Sequence, residues 1–185
     1  DTDVPQALTA QGIQEVIEHY RQAALNAHQA GFDGVELHCT SGYLPMQFMA
    51  TGSNRRNDAY GGDAAGRVRF AKEVIEAMAG AIGTGRVGFR LCPGNPYNDI
   101  DDLEPAQTAA ALCAAVAPLP LAYLHIMRSP LQGLDAFELA RQHSPHALIL
   151  NDSFDGPSAD AALASGEGAA VSFGRHFIAL SLIHI

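Results

Sequence analysis

The feature that most constrains this chain is a regular alternation of helix-periodic segments with short, nearly all-apolar runs. From about Gln11 to Ala30, the residues Ile13, Val16, Ile17, Tyr20, Ala24 and Ala27 fall at helical spacing, and Gly31 ends the pattern. A second helix is predicted over about 64–82, with Phe70, Val74, Ile75 and Met78 on one face. Pro105 suits the first turn of a third, Ala-rich helix that reaches about Ala117, where Pro118 and Pro120 stop it. Shorter helices are predicted around 135–142 and 156–165. Between them lie five strand-like runs, at 35–38, 87–91, 122–126, 147–150 and 169–173. Strands that are apolar on both faces and alternate with helices imply an α/β fold with a parallel, helix-covered sheet. Without long linkers, repeats or low-complexity tracts, one domain is expected.

Each run ends in polar residues: His38 to Tyr43, Arg90, His125, Asn151 to Ser153, and Gly174-Arg175. In a (β/α)₈ barrel all such ends share one rim, where the active site lies. Composition narrows what that rim can bind. The 185 residues carry a formal charge of −9, which argues against a nucleic-acid partner, because such a face needs clustered Lys and Arg. No apolar run has the length of a membrane span, and the N-terminus lacks a signal-peptide pattern, so no membrane partner and a cytoplasmic location are expected. Cys39, Cys92 and Cys113 are odd in number and widely spaced, which fits neither a disulfide framework nor a metal site.

The most informative stretch is 32–62. Its strand delivers His38, Cys39, Thr40, Ser41, Gly42 and Tyr43 in immediate succession. These residues read locally either as donors with a proton source or as a satisfied His and a half-buried Tyr beside a turn. The longer pattern is H-x-x-x-G-Y-L-x-x-Q-F, then S-N-x-R-x-D-x-Y-G-G, then Arg67, Arg69 and Phe70. It resembles the Old Yellow Enzyme family of FMN-dependent ene-reductases, and the resemblance runs from about Thr9 to Ala179. It implies a partial TIM barrel, about strands four to eight, with FMN as cofactor, NAD(P)H as reductant and a small-molecule activated alkene, such as an α,β-unsaturated carbonyl, as substrate.

By this resemblance Tyr43 is the proton donor and His38 a donor to the substrate carbonyl. Ser41 stands where the family carries the second donor, Asn or His. Arg90, in G-F-R-L, matches the Arg beside the flavin's pyrimidine edge. Gly174 and Arg175 match the phosphate clamp. Asn151, Asp152 and Ser153 form the loop that faces the phosphate, and the family typically has two glycines where Asp152 and Ser153 stand. Asp58, Tyr60, Gly61 and Gly62 read as a structural brace. His125 suits contact with flavin or substrate as well as simple packing at the rim.

Five strands are fewer than eight, and a complete barrel takes roughly 250 residues. The chain is therefore expected to be a fragment, with 1–179 a partial FMN-binding barrel. Residues 180–185 replace the family's usual N-P-D-L and resemble the translation of a sequencing-library adapter, so they are expected to be a non-native tail. Two rivals stand beside this reading. Another phosphate-binding barrel, an isomerase or aldolase, would need a Lys or an acid pair at strand ends, and the one Lys is Lys72, on a helix. A catalytically inactive, flavin-free fragment is the other.

Overall fold

The computed structural model describes residues 6–174 and 177–178. Helix α1 (Ala10–Gln29) opens on Thr9, whose side chain accepts from the Gly12 N–H, and buries Ile13, Ile17 and Ala24. Strand β1 (Val35–His38) follows directly. A six-residue helix, α2 (Leu44–Met49), follows, with no counterpart among the helices predicted from sequence; Pro45 sits in its first turn and Met46, Phe48 and Met49 are buried. Asp63 caps α3 (Ala64–Ile82), which is followed by β2 (Val87–Leu91), α4 (Pro105–Val116), β3 (Tyr123–Met127), α5 (Ala136–His143), β4 (Leu148–Asn151), α6 (Gly156–Ala164) and β5 (Ala170–Ser172).

The five strands are parallel and lie in the order β1-β2-β3-β4-β5. Strictly sequential order is the arc of a (β/α) barrel; a doubly wound sheet would reverse direction at a switch point. The covering helices pack in the same sequence, α1 on α3, α3 on α4 and α4 on α5. On the helix-covered face the register aligns Leu37 with Phe89, Phe89 with Leu124, Leu91 with Ile126, and Ile126 with Leu150, all buried.

Residues 50–63 are tied down by hydrogen bonds. Arg56 pairs with Asp58 and donates to the Leu8 carbonyl at 2.7 Å, while the Tyr60 hydroxyl donates to Glu73 at 2.8 Å and accepts from Gln14. Arg67, almost fully buried, donates to the carbonyls of Met49 and Gly62 and pairs with Glu104 at 2.8 Å. Tyr60 thus ties the loop to α1 and α3, and Arg67 holds the end of α2 at the Met49 carbonyl. The three cysteines are free and buried, and burial pushes their thiols up, that of Cys113 to about 12. Among the described residues no helix is long and apolar enough to cross a membrane.

Candidate functional site

The face of the sheet turned away from the helices carries the alternate strand residues, and these are largely polar. Glu36, Gly88 and Tyr123 form one row. His38, Arg90, His125, Ile149 and Ala170 form the next. Met127, Asn151 and Ser172 form a third. Gly88 makes room for a neighbour: a Cβ there would come within 2.4 Å of the Tyr123 ring.

A chain of hydrogen bonds crosses these rows. His125 Nδ1 lies 2.9 Å from a Glu36 carboxylate oxygen, and its Nε2 lies 2.8 Å from Ser172 Oγ. A carboxylate only accepts, so Nδ1 carries the proton. The Asn151 amide donates to Ser172 Oγ at 2.8 Å and to its carbonyl at 3.0 Å, and Asn151 Oδ1 accepts from Arg90 Nη2 at 2.7 Å. Burial works to raise the Glu36 pKa, but hydrogen bonds with His125 and Tyr123 and the charge of Arg90 outweigh it, so the carboxyl titrates below its ordinary range. Tyr123 is pushed up to about 12 by burial and by Glu36. In this network Arg90 Nε is buried and, among the described residues, has no hydrogen-bond partner.

At the rim His38 and Tyr43 meet, with ring centroids 5.4 Å apart at 56°. Desolvation, then the charge of Arg90, lower the His38 pKa, which favours a neutral imidazole. Tyr43 is the cap residue of α2 and is 58% exposed. Ser41 has φ of 60°, and its hydroxyl oxygen lies 3.5 Å from the Asn95 amide. Gly42, at φ of 74°, is hemmed by the loop after β2, where a Cβ would meet Asn98 at 2.7 Å.

A cavity of 830 Å³ opens beside this row, lined by residues that include Tyr97, Arg128, Asn151, Asp152, Ser153 and Gly174. That volume suits a drug- or cofactor-sized ligand. Asp152 and Ser153 both sit at positive φ, 81° and 60°, a region that disfavours side chains. A second cavity, of 440 Å³, lies against Leu8, Phe48 and residues 53–58, away from the residues read as a site.

The structure therefore groups His38, Ser41 and Tyr43 at the first strand's end, and Asn151, Asp152, Ser153 and Gly174 around the cavity. Arg90 joins the groups, in register with His38 and bonded to Asn151. Arg175 lies outside the described residues, as does the tail at 180–185. Sequence reasoning missed Glu36, Tyr123, Ser172 and Arg128. An acid inside an otherwise apolar strand was the available signal for Glu36; nothing local marks Ser172.

The model of the NADH:flavin oxidoreductase / NADH oxidase family matches residues 1–181. A probable flavin mononucleotide-dependent alkene reductase of Leishmania infantum is 41% identical over 180 residues, which cover 95% of this chain and 49% of that protein. Among solved structures, morphinone reductase is 42% identical with a TM-score of 0.89, covering 96% of this chain and 49% of that one. The old yellow enzyme from Trypanosoma cruzi is 33% identical with a TM-score of 0.91 over the same shares. This chain thus spans about half the length of these relatives, and its sheet corresponds to about half of their barrel.

Proposed function

The chain belongs to the NADH:flavin oxidoreductase / NADH oxidase family, and from that premise we propose that it supplies the Tyr43-bearing half of an FMN-dependent oxidoreductase. The reaction is reduction of activated C=C bonds, those of α,β-unsaturated carbonyls, with NAD(P)H as reductant. The observation that carries this reading is Arg90, in the row of His38: its Nη2 donates to Asn151, and its buried Nε has no partner among the described residues. A buried donor left unmade costs about 1–3 kcal/mol, which an acceptor on a bound flavin would remove. The residues present fit the cofactor in that respect.

FMN, when bound, supplies the hydride chemistry, and the side chains bind, orient and hold a proton. Arg90 would hold the pyrimidine edge, and Asn151, Asp152, Ser153 and Gly174, with Arg175 by the family pattern, would hold the phosphate end. His38, neutral, donates to the substrate carbonyl oxygen, where negative charge grows during reduction. Ser41 is a poor second donor, since its hydroxyl is short and turned toward Asn95. Tyr43, exposed beside His38, holds the proton for the α-carbon. In this reading residues 1–179 are one FMN-binding unit, 180–185 a non-native tail, and the setting cytoplasmic, with no nucleic-acid or membrane partner.

The test is a chimera in which this chain replaces the matching half of morphinone reductase. Tyr43→Phe is expected to leave flavin reduction by NAD(P)H unchanged and to slow alkene reduction roughly a hundredfold. Equal slowing of both half-reactions in stopped-flow traces would refute the role of Tyr43. A second reading, a flavin-free fragment, applies to the 185-residue chain by itself. It is favoured by β1 and β5 standing as sheet edges and by the strained Asp152-Ser153 pair. The visible spectrum of the purified chain decides between bound flavin and none.

A further inference from the structure

Arg128 stands one residue beyond β3, on the wall of the 830 Å³ cavity. Its backbone N–H donates to the Asn151 carbonyl at 3.0 Å, so the loops after β3 and β4 leave the sheet side by side. Its guanidinium carbon lies 4.8 Å from the Phe137 ring centroid and 5.4 Å from that of Phe154. Those two buried rings are themselves stacked, 5.9 Å apart at 20°, although they come from different elements: Phe137 from the first turn of α5 and Phe154 from the loop after β4. Cation–π contact engages the face of a guanidinium and leaves its edge, where the N–H donors project, available. Arg128 is itself exposed and lines the cavity, so that edge faces solvent and the cavity.

A cation held against two rings, with a solvent-facing donor edge and a cavity beside it, is placed to exchange water for a planar-edge acceptor of opposite charge. Arginine matches phosphate oxygens bidentately. The cavity wall adds the Ser153 hydroxyl and the open backbone at Gly174, where a Cβ would meet nothing within 4 Å. The loops after a barrel's last two strands are also where phosphate commonly sits. We propose that Arg128 is a phosphate-binding residue of this cavity and takes the phosphomonoester end of a flavin nucleotide. The flavin part rests on the function proposed above; the phosphate part does not. Arg128 supplies the charge that lets the site hold a dianion beside the carboxylate of Asp152.

The experiment compares FMN with riboflavin, which lacks the phosphate, by flavin fluorescence titration against the 185-residue chain and the chimera. The proteins are the unmodified forms, Arg128→Met, which keeps an apolar stem on the two rings, and Arg128→Lys. Arg128→Met is expected to weaken FMN binding roughly tenfold or more and to leave riboflavin within twofold, with Arg128→Lys intermediate. An FMN-to-riboflavin affinity ratio unchanged by Arg128→Met overturns the proposal. Inorganic phosphate, followed by ³¹P line broadening, separates the two claims. Broadening that Arg128→Met abolishes, in protein that binds neither flavin, supports the phosphate site and removes the flavin reading. If neither flavin binds and the broadening is absent or indifferent to residue 128, the proposal falls.

Discussion

The two faces of one five-stranded sheet are built from alternate residues of the same strands, yet they are closed in different ways. On the covered face Phe89, Leu124, Ile126 and Leu150 are fully buried by helices of the same chain. On the other face Glu36, His125, Ser172, Asn151 and Arg90 satisfy one another by directed bonds 2.7–2.9 Å long, and the series ends on an unpartnered Arg90 Nε. The first face is closed by apolar packing within the chain, with the His146 ring set edge-on against Phe89 and its buried Nε2 without a hydrogen-bond partner among the described residues. Among the described residues the second leaves a charged group, Arg90, with a donor over at the rim, and a partner from outside is proposed to meet it.

The largest effect is expected on the covered face. Phe89→Ala removes a ring of zero exposure and should cost about 3–5 kcal/mol, read as a lowered denaturant midpoint. If the two faces are independent, whatever protein remains folded at low denaturant should keep its FMN affinity. A matching loss of affinity in that folded fraction would show the faces to be coupled.

A smaller effect is expected inside the polar network. Glu36→Gln keeps the shape but gives up the charge that His125, Tyr123 and Arg90 surround, at a cost of about 1.5 kcal/mol at neutral pH. Because the folded carboxyl titrates below its ordinary value, its contribution is whole above the unfolded pKa of about 4.3 and drains as pH falls through the folded value. The stability gap between the two proteins should therefore be widest near neutrality and close in acid. A gap that widened below pH 4 would contradict the bonding described for Glu36.

The alternation of apolar runs and helix periods makes the sheet, its direction and its covering helices legible in the sequence, because each follows from local pattern. The ends of the strands are legible for the same reason, so His38, Arg90 and Asn151 stand out by position, while Tyr43 and the roles given to all four come from the resemblance to the family. What sequence does not reveal depends on register across the sheet. Glu36 meets His125, and His125 meets Ser172, over separations of 89 and 47 residues. No local period encodes them. Helix α2 is also too short for a period to show, and the aromatic clamp on Arg128 joins a residue of α5 to one of the loop after β4. The strain at Asp152 and Ser153 is a matter of φ, visible in sequence only where a glycine would have marked it.

The smallest effect is expected at that strained pair. Changing Asp152 and Ser153 to glycine relieves two left-handed side-chain positions at about 1 kcal/mol each, partly offset by the greater chain entropy of glycine. It also removes a negative charge beside the proposed phosphate. FMN affinity in the chimera should rise by about 1 kcal/mol, roughly fivefold. Unchanged or weaker affinity would mean that the loop does not face the phosphate.

The central claim is that the surplus donor of Arg90 is met by a flavin, and the arginine Nε–H resonance reads it most directly. In ¹⁵N-labelled chain, the Arg90 signal is identified by its loss in Arg90→Lys and followed as FMN is added to saturation. The predicted result is a downfield shift of that resonance and slower exchange of its proton with water, as expected when a buried N–H gains an acceptor. Saturation by FMN with the Arg90 resonance unmoved would contradict the account.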